Sequence, residues 1–483
     1  MSEIKQGKPI GKNRYEGQIT IAMSLVFTLI LSVFLSMVAA ARSAALEVKL
    51  ECAAQTAVYS LFSQYHKGLA QRYGLLFVDS SFGTDSPSYA NLEDRLLLYF
   101  EKNMHPEGEQ SLLFADDWFG VTDTAVTVSG VRTFTDMWCG AFYNQAVSYM
   151  KDLVSADLYE EVQGWIKVQE EYEIDGETVK EQNAELLKEA SEAVGDEDWS
   201  VTKVYPQLDI MYFTRPATYL LAGDLQMSKK GINPANLLTF RDKNKGSEAL
   251  EPEDMGNPWN DFCFSEYILS KFGHYGDVRE DSALDYQVEY IIVGLPTDGE
   301  NMTFVLNSIF YIRCAANIIP LLQSEEAKQI VKPISELLTI FKIPPQVSEA
   351  LIYMLWCALE SVADVHGLID GERVELIKKY EDFTVSLEGL TSLGAELLPG
   401  EDEKEPVSEV GLAYEDYLRL FLTGIPRTVK ATRCGDMIEA DIRLTEGNEY
   451  FRLDGCVDAV SVEFAVHTSF GHFYTVDRKY DFF

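Results

Sequence analysis

The sequence predicts a mainly helical α+β protein, in which one long N-terminal transmembrane and amphipathic helix carries an ectodomain with a small antiparallel sheet. Three observations predict it. Residues 19–41 form an uncharged apolar run, the helical spacing of apolar residues continues past that run, and the C-terminal stretch alternates apolar and polar residues around a glycine turn.

No charged side chain lies between Gln18 and Arg42. At about 1.5 Å per residue, residues 19–41 are long enough to cross a hydrocarbon core of about 30 Å. A secretory signal has a shorter apolar region of about 7–15 residues, so an uncleaved anchor is expected even though Ala39-Ala40-Ala41 resembles a small-residue cleavage site. Lys5, Lys8, Lys12 and Arg14 precede the run against Glu3 and Glu16. The positive-inside bias then assigns residues 1–18 to a cytoplasmic tail and the bulk of a single-pass chain to the outside of the cell membrane.

Beyond the anchor, Leu46, Leu50, Ala53, Ala57, Leu61, Tyr65 and Leu69 recur at spacings of three and four, with Glu47, Lys49, Glu51, Gln55, Gln64 and Lys67 between them. Gly74 is the first stop signal. The expectation is one rod from Gln18 to Tyr73, about 84 Å long, with the anchor at 19–41 and an amphipathic extension at 42–73. An extracytoplasmic α+β domain then occupies 74–483.

Within that domain, residues 122–135 alternate like a half-buried strand, and 137–167 show helical spacing. Residues 177–194 read as a charged helix with few apolar anchors, an arm expected to project or pack loosely. Residues 206–258 are rich in Gly, Pro and Asn, read as irregular, and offer a subdomain boundary. The densest apolar matter lies in 286–380. Its two long apolar segments are expected as core helices, because Arg313 and Asn317 interrupt the first and the uncharged run 350–359 of the second is too short to cross a membrane. "GAELLPGEDEKEPVSEVG" is an acidic loop, and helices resume over 414–423 and 428–444. Finally, Val460, Val462, Phe464 and Val466 alternate strictly before Ser469-Phe470-Gly471 turns the chain into a second strand. A hairpin alone is marginal, and 122–131 is the natural third strand.

Charge narrows the function classes. The chain has 40 basic and 77 acidic residues, and setting aside the tail's four basic and two acidic side chains leaves 36 against 75, a net of −39 outside. Direct nucleic-acid binding is excluded by that balance, since phosphate contacts rest on Lys and Arg. The acid excess is read as solvation of a soluble surface. Seven cysteines without a CxxC pair make no disulfide scaffold: Cys139, Cys314 and Cys357 fall in apolar helical patterns as small hydrophobes, and Cys434–Cys456 is the pair whose bridging merits a test.

Catalytic, cofactor and metal residues are all expected to be none. The sequence has no GxSxG elbow, no HExxH and no phosphate-binding glycine loop. Ser148-Tyr-Met-Lys151 matches SxxK without its companion motifs. His467 and His472 flank the terminal turn without a third zinc ligand. The repeated "IDGE" at Ile174 and Ile369 fails as a calcium loop, because Gln182 stands at the twelfth position of the first copy and Leu368 at the third of the second; both copies read as Asp-Gly turns. "LPTDG" at Leu295 is not a sortase signal, since its fourth residue is Asp298 and no membrane tail follows.

The segment "EGQITIAMSLVFTLILSVFLSMVAAARSAALEVKLECAAQTAVYSLFSQYHKGLAQRYGLLFVD" resembles the start of TadE/TadG-like proteins of tight-adherence (Flp) pilus machinery. It is more closely similar to an uncharacterised clostridial membrane-anchored family, a domain of unknown function, which "VEYIIVGLPTDGENM", "ALESVADVHGLIDGERVELIKKY" and "YEDYLRLFL" also resemble. The resemblance implies an accessory or minor pseudopilin-like role in pilus or secretion-system assembly, with the bilayer bound through 19–41 and other membrane proteins of that machinery as partners. Prepilin-type processing, as the resemblance implies it, would cut after Gly17 and favour Glu at the fifth mature position, where Ala22 stands. An uncleaved, TadG-like protein is therefore expected, with an anchored binding or sensing module for an envelope ligand as the alternative.

Overall fold

The computed structural model describes residues 13–104, 119–194, 227–243, 246, 257–338, 343–385 and 410–482. They divide into two compact units, the first drawn from residues up to 65, 87–131 and 457–482, the second from 66–86 and 132–456. Residues 206–258, read above as a subdomain boundary, fall inside the second unit; 206–226, 244–245 and 247–256 lie outside the described residues, as do 394–409 of the acidic loop.

The first unit is built on helix α1, Asn13–Phe62. Its fifty residues correspond to about 75 Å. Past the apolar run, Leu46, Leu50, Ala53, Ala54, Ala57, Val58, Leu61 and Phe62 are buried, and each of the larger ones contributes about 1.5–3 kcal/mol by leaving water. Helix α2, Tyr89–Met104, packs on α1 and buries Leu92, Leu96, Phe100 and Met104. Three strands complete the unit: β2, Val121–Thr133; β3, Cys456–Thr468; and β4, Phe473–Asp481. The order is β2-β3-β4, with β3 antiparallel to β4 in the register Val460↔Tyr480 through Val466↔Tyr474. β2 also runs antiparallel to β3, since Thr122 and Ser129 donate to the carbonyls of His467 and Ser461. The strand at 122–131 thus takes the place the sequence assigns it. Phe100 of α2 meets Phe464 of β3 with ring centroids 4.9 Å apart.

The expected rod is shorter than its spacing suggests. α1 stops at Phe62, and 69–73 form a separate π-helical turn closed by left-handed Gly74 at φ 70°. His66 explains the break: its amide donates to the Phe77 carbonyl at 2.8 Å and its Nδ1 accepts from the Leu69 amide at 3.3 Å. A side chain that satisfies an amide from outside the helical ladder lets the chain turn and restart.

The second unit is helical, with a two-residue strand β1, Val78–Asp79, near its start. Its helices are α3, Asp136–Met150; α4, Ala156–Glu171; α5, Gly176–Val194; α6, Pro258–Lys271; α7, Gln287–Val293; α8, Asp298–Gln323; α9, Glu325–Leu338; α10, Pro345–Ile369; α11, Tyr414–Gly424; and α12, Arg427–Arg443. α8 packs on α10, α5 and α7, while α3 packs on α6 and α12. Side-chain caps begin several of them, with Ser155 at α4, Asn257 before Pro258 at α6, and Thr297 at α8.

Three expectations change. The helical stretch 137–167 is two helices, separated by 151–155, and the first opens with Met137, Trp138 and Cys139 at φ 50°, 58° and 62°, a left-handed turn of non-glycine residues. Of the two readings of 177–194, an arm that projects or one that packs loosely, the first is overturned: α5 lies against α8 and α10, and Gly176 sits so close to Tyr311 that a Cβ there would be 2.9 Å from the tyrosine's own. Cys434 and Cys456 are not bridged; both are buried thiols outside any disulfide, as are Cys139, Cys263, Cys314 and Cys357.

Candidate functional site

α1 has a bare half. From Ile19 to Met37 every large apolar side chain except Leu31 is more than half exposed. Two of its hydroxyls bond backward onto the helix, Thr28 Oγ1 to the Ser24 carbonyl at 2.8 Å and Ser32 Oγ to the Leu29 carbonyl at 2.9 Å. A helix that meets its own backbone and hydroxyl needs is a structure hydrocarbon tolerates, whereas a soluble protein rarely shows so large an apolar patch to water. Among the described residues three helices, α1, α8 and α10, are long and apolar enough to cross a membrane. Most of the apolar stretch of α8 and of α10 is buried in protein, and none of α1's is.

Titratable groups are concentrated inside the second unit. Arg313 on α8 and Asp364 on α10 are both sealed from water, and their Nε–Oδ2 distance is 2.9 Å. The guanidinium also donates to the Glu375 and Leu376 carbonyls and to Asn317 Oδ1, at 2.8, 2.9 and 3.0 Å. Lys378 bridges Asp364 and Glu360, the latter at 2.6 Å. Burial pushes the Asp364 pKa up, but Arg313 and Lys378 outweigh it and hold the carboxyl below its ordinary value.

A second network lines α12. Asp441 accepts from Tyr73 Oη, the Ala283 amide and Gln287 Nε2 at 2.6, 2.7 and 2.8 Å and pairs with Arg72 at 2.8 Å. Glu439 accepts from Arg241 and the Leu453 amide, and Asp436 from Thr239 and Tyr290. Burial raises the Asp436 and Asp441 pKa values despite these donors. Lys430, on the same helix, donates to Ser265 Oγ at 3.0 Å and the Leu422 carbonyl at 2.9 Å, and burial lowers its pKa to about 8. These groups spend their hydrogen-bonding capacity on one another and on loop amides, so their chemistry fixes chain paths.

An open hollow of about 550 Å³ lies at the start of α8, lined by Met227, Leu295, Thr297, Glu300, Phe304 and Asn307 among others. Phe304 is 54% exposed there. Its one aromatic ring stands among Met227 and Leu295, beside the Glu300 carboxylate and the Asn307 amide.

The motifs singled out from sequence have structural places. Ser148 and Lys151 are exposed at the end of α3. His467 lies opposite Phe473 in the hairpin, their rings 4.6 Å apart, and the His472 amide donates to Thr468 Oγ1. Among the described residues no group of three metal-ligating side chains converges. The first "IDGE" is a helix start and not a turn: Asp175 accepts from Thr178 Oγ1 at 2.6 Å, a bond that lowers its pKa. The second ends α10, with Gly371 at φ 91°. In "LPTDG", Thr297 caps α8 and Asp298, fully buried, accepts from Ser228 Oγ and the amides of Asp285 and Tyr286.

Sequence reading missed both buried networks. The signal of the first was present as polar pairs four apart on otherwise apolar helices, Arg313 with Asn317 and Glu360 with Asp364.

A family of unknown function (DUF5702) has a model that matches residues 197–468, more than half of the chain. The chain belongs to that family. The match spans α6 to α12 and β3, so the buried networks fall largely within it, while α1 to α5 lie outside. No curated protein and no solved structure matches the chain.

Proposed function

We propose that this is a single-pass membrane protein with residues 1–18 in the cytoplasm and its folded bulk outside, serving as an accessory, pseudopilin-like component of a Tad/Flp-type pilus or secretion-system assembly. The single observation that carries the reading is the division of α1, one helix whose first half is bare and apolar and whose second half is buried in a folded unit. That layout ties a rigid head to the bilayer without a flexible linker, which suits a part that must hold position in an assembly. The resemblance of the N-terminal segment to TadE/TadG-like proteins supplies the kind of assembly. The inward-turned ionic networks support an interaction role over catalysis.

Cys52 provides a native reporter of sidedness, because it is exposed on α1 just past the apolar run while the other six cysteines are buried. A membrane-impermeant maleimide should label it in intact cells. Labelling only after permeabilisation would reverse the topology. Photo-crosslinkers on the exposed face of α1 should capture pilus or secretion-system membrane proteins; exclusively unrelated neighbours would reject the assembly role.

A second reading, an anchored module that binds or senses an envelope ligand, draws on the hollow at the start of α8. A Phe304→Ala variant that loses a function while keeping its crosslinked neighbours would favour it.

A further inference from the structure

We infer that the tip of the β3–β4 hairpin, bearing Phe470 and Phe473, is a second membrane contact that lies in the phospholipid headgroup layer beside the point where α1 leaves the bilayer. The inference rests on the reading of 19–41 as a span and extends it to a part of the chain more than four hundred residues away in sequence.

Arg42 is the first charge after the apolar run, and so marks the depth at which hydrocarbon gives way to headgroups. Its guanidinium carbon sits 3.4 Å from the centroid of the Phe470 ring. One residue further, the Ser43 hydroxyl is hydrogen-bonded to Tyr474. From there β4 follows α1 in the same direction: Arg478 approaches Glu51 at 3.9 Å, Tyr480 packs on Tyr59 and Phe62, and Phe482 packs on Phe62. The two elements keep pace. From Ser43 to Phe62 a helix rises about 28 Å, and from Tyr474 to Phe482 a strand rises about 27 Å. The turn before β4 is therefore held at the level of Arg42, one end of the hairpin at the membrane boundary and the other far from it.

The tip has the composition of that boundary. Phe470 and Phe473 are 51% and 56% exposed, an unfavourable display in water beside a span already apolar. His467, Ser469 and His472 surround them, giving the mixture of aromatic and polar groups that interfaces accommodate. Arg42 covers one face of Phe470 and reaches toward lipid phosphate as a snorkelling cation does. The backbone is committed to this shape: the Ser469 amide donates to the Gly120 carbonyl at 2.7 Å, and Gly120, at φ 62°, leaves no room for a Cβ beside Ser469 and Phe470. A helix with one contact can tilt and spin in the bilayer. A second contact at the same depth fixes the head's orientation.

The test uses the full chain with Cys52→Ser, reconstituted in vesicles of phosphatidylcholine and phosphatidylglycerol, with a fluorophore on a single new cysteine. Spin-labelled lipids that quench near the headgroup should quench a dye at His472→Cys, and lipids that quench near the bilayer centre should quench one at Ile30→Cys. Neither should quench a dye at Asp481→Cys, at the far end of β4. Adding Phe470→Ser and Phe473→Ser should weaken quenching at 472, because the tip no longer inserts although β4 still holds it at that level, and should leave quenching at 30 unchanged. Quenching at 30 without quenching at 472 overturns the hairpin contact alone. Absence of quenching at 30 overturns the span itself, and the hairpin contact with it.

Discussion

The Arg313 guanidinium and the Asp364 carboxylate meet at 2.9 Å with both side chains sealed from water, one on each of the two helices that form the apolar centre of the larger unit. Their pairing is the condition on which α8 and α10 can pack there. Isolated, either charge would cost several kcal/mol to bury.

Asp364→Ala is therefore expected to destabilise the second unit by about 3–5 kcal/mol, because Arg313 and Lys378 lose a common counter-ion. Asp364 holds its proton less tightly folded than unfolded, so its contribution is present above its ordinary carboxylate range and is lost as pH falls through its lowered value. Chemical denaturation of the two proteins at pH 7 and pH 3 checks both points: the difference should be large at pH 7 and smaller at pH 3.

Lys430 has the opposite pH signature. With a folded pKa of about 8, the buried amine sheds its proton while the unfolded lysine still holds one, so stability rises between about pH 8 and pH 10. Lys430→Met should remove that rise. Relative to the parent, the variant should look more stable at pH 7 than at pH 10, and a difference independent of pH would contradict the buried-amine account.

Leu29→Arg combined with Val33→Asp puts two charges in the middle of the bare half of α1. At about 3 kcal/mol each at the centre of a bilayer, they should move the protein out of the carbonate-resistant membrane fraction. Retention in that fraction would mean that another segment holds it there.

Trp138 is 70% exposed and left-handed at φ 58°. A left-handed non-glycine residue costs roughly 1–2 kcal/mol, part of which glycine returns as added unfolded-state entropy. Trp138→Gly is expected to raise stability by about 0.5–1 kcal/mol, read as a higher denaturation midpoint at unchanged slope.

Periodicity carried most of the fold. The strict alternation from Val460 to Val466 located the hairpin, and its need for a third strand found β2 across more than three hundred residues. The end of α1 was hidden because Tyr65 and Leu69 keep the helical spacing; what breaks the rod is His66 bonding to Phe77 and Leu69, an event apolar spacing does not encode. The few apolar positions of α5 leave open whether it projects or packs loosely, and Gly176 is what lets it sit directly against Tyr311. Arg313 in an apolar helix signals from sequence a barrier to membrane crossing, and in the fold it is the centre of a salt-bridged core.

The smaller unit draws its pieces from residues up to 65, from 87–131 and from 457–482. A growing polypeptide accordingly displays Leu46, Leu50, Val58 and Leu61 long before the strands that complete their shelter have been synthesised. Nearly four hundred residues must leave the ribosome in between. Synthesis thus includes an interval in which these apolar side chains already exist while the strands that cover them do not, a period in which exposed surface favours misassembly.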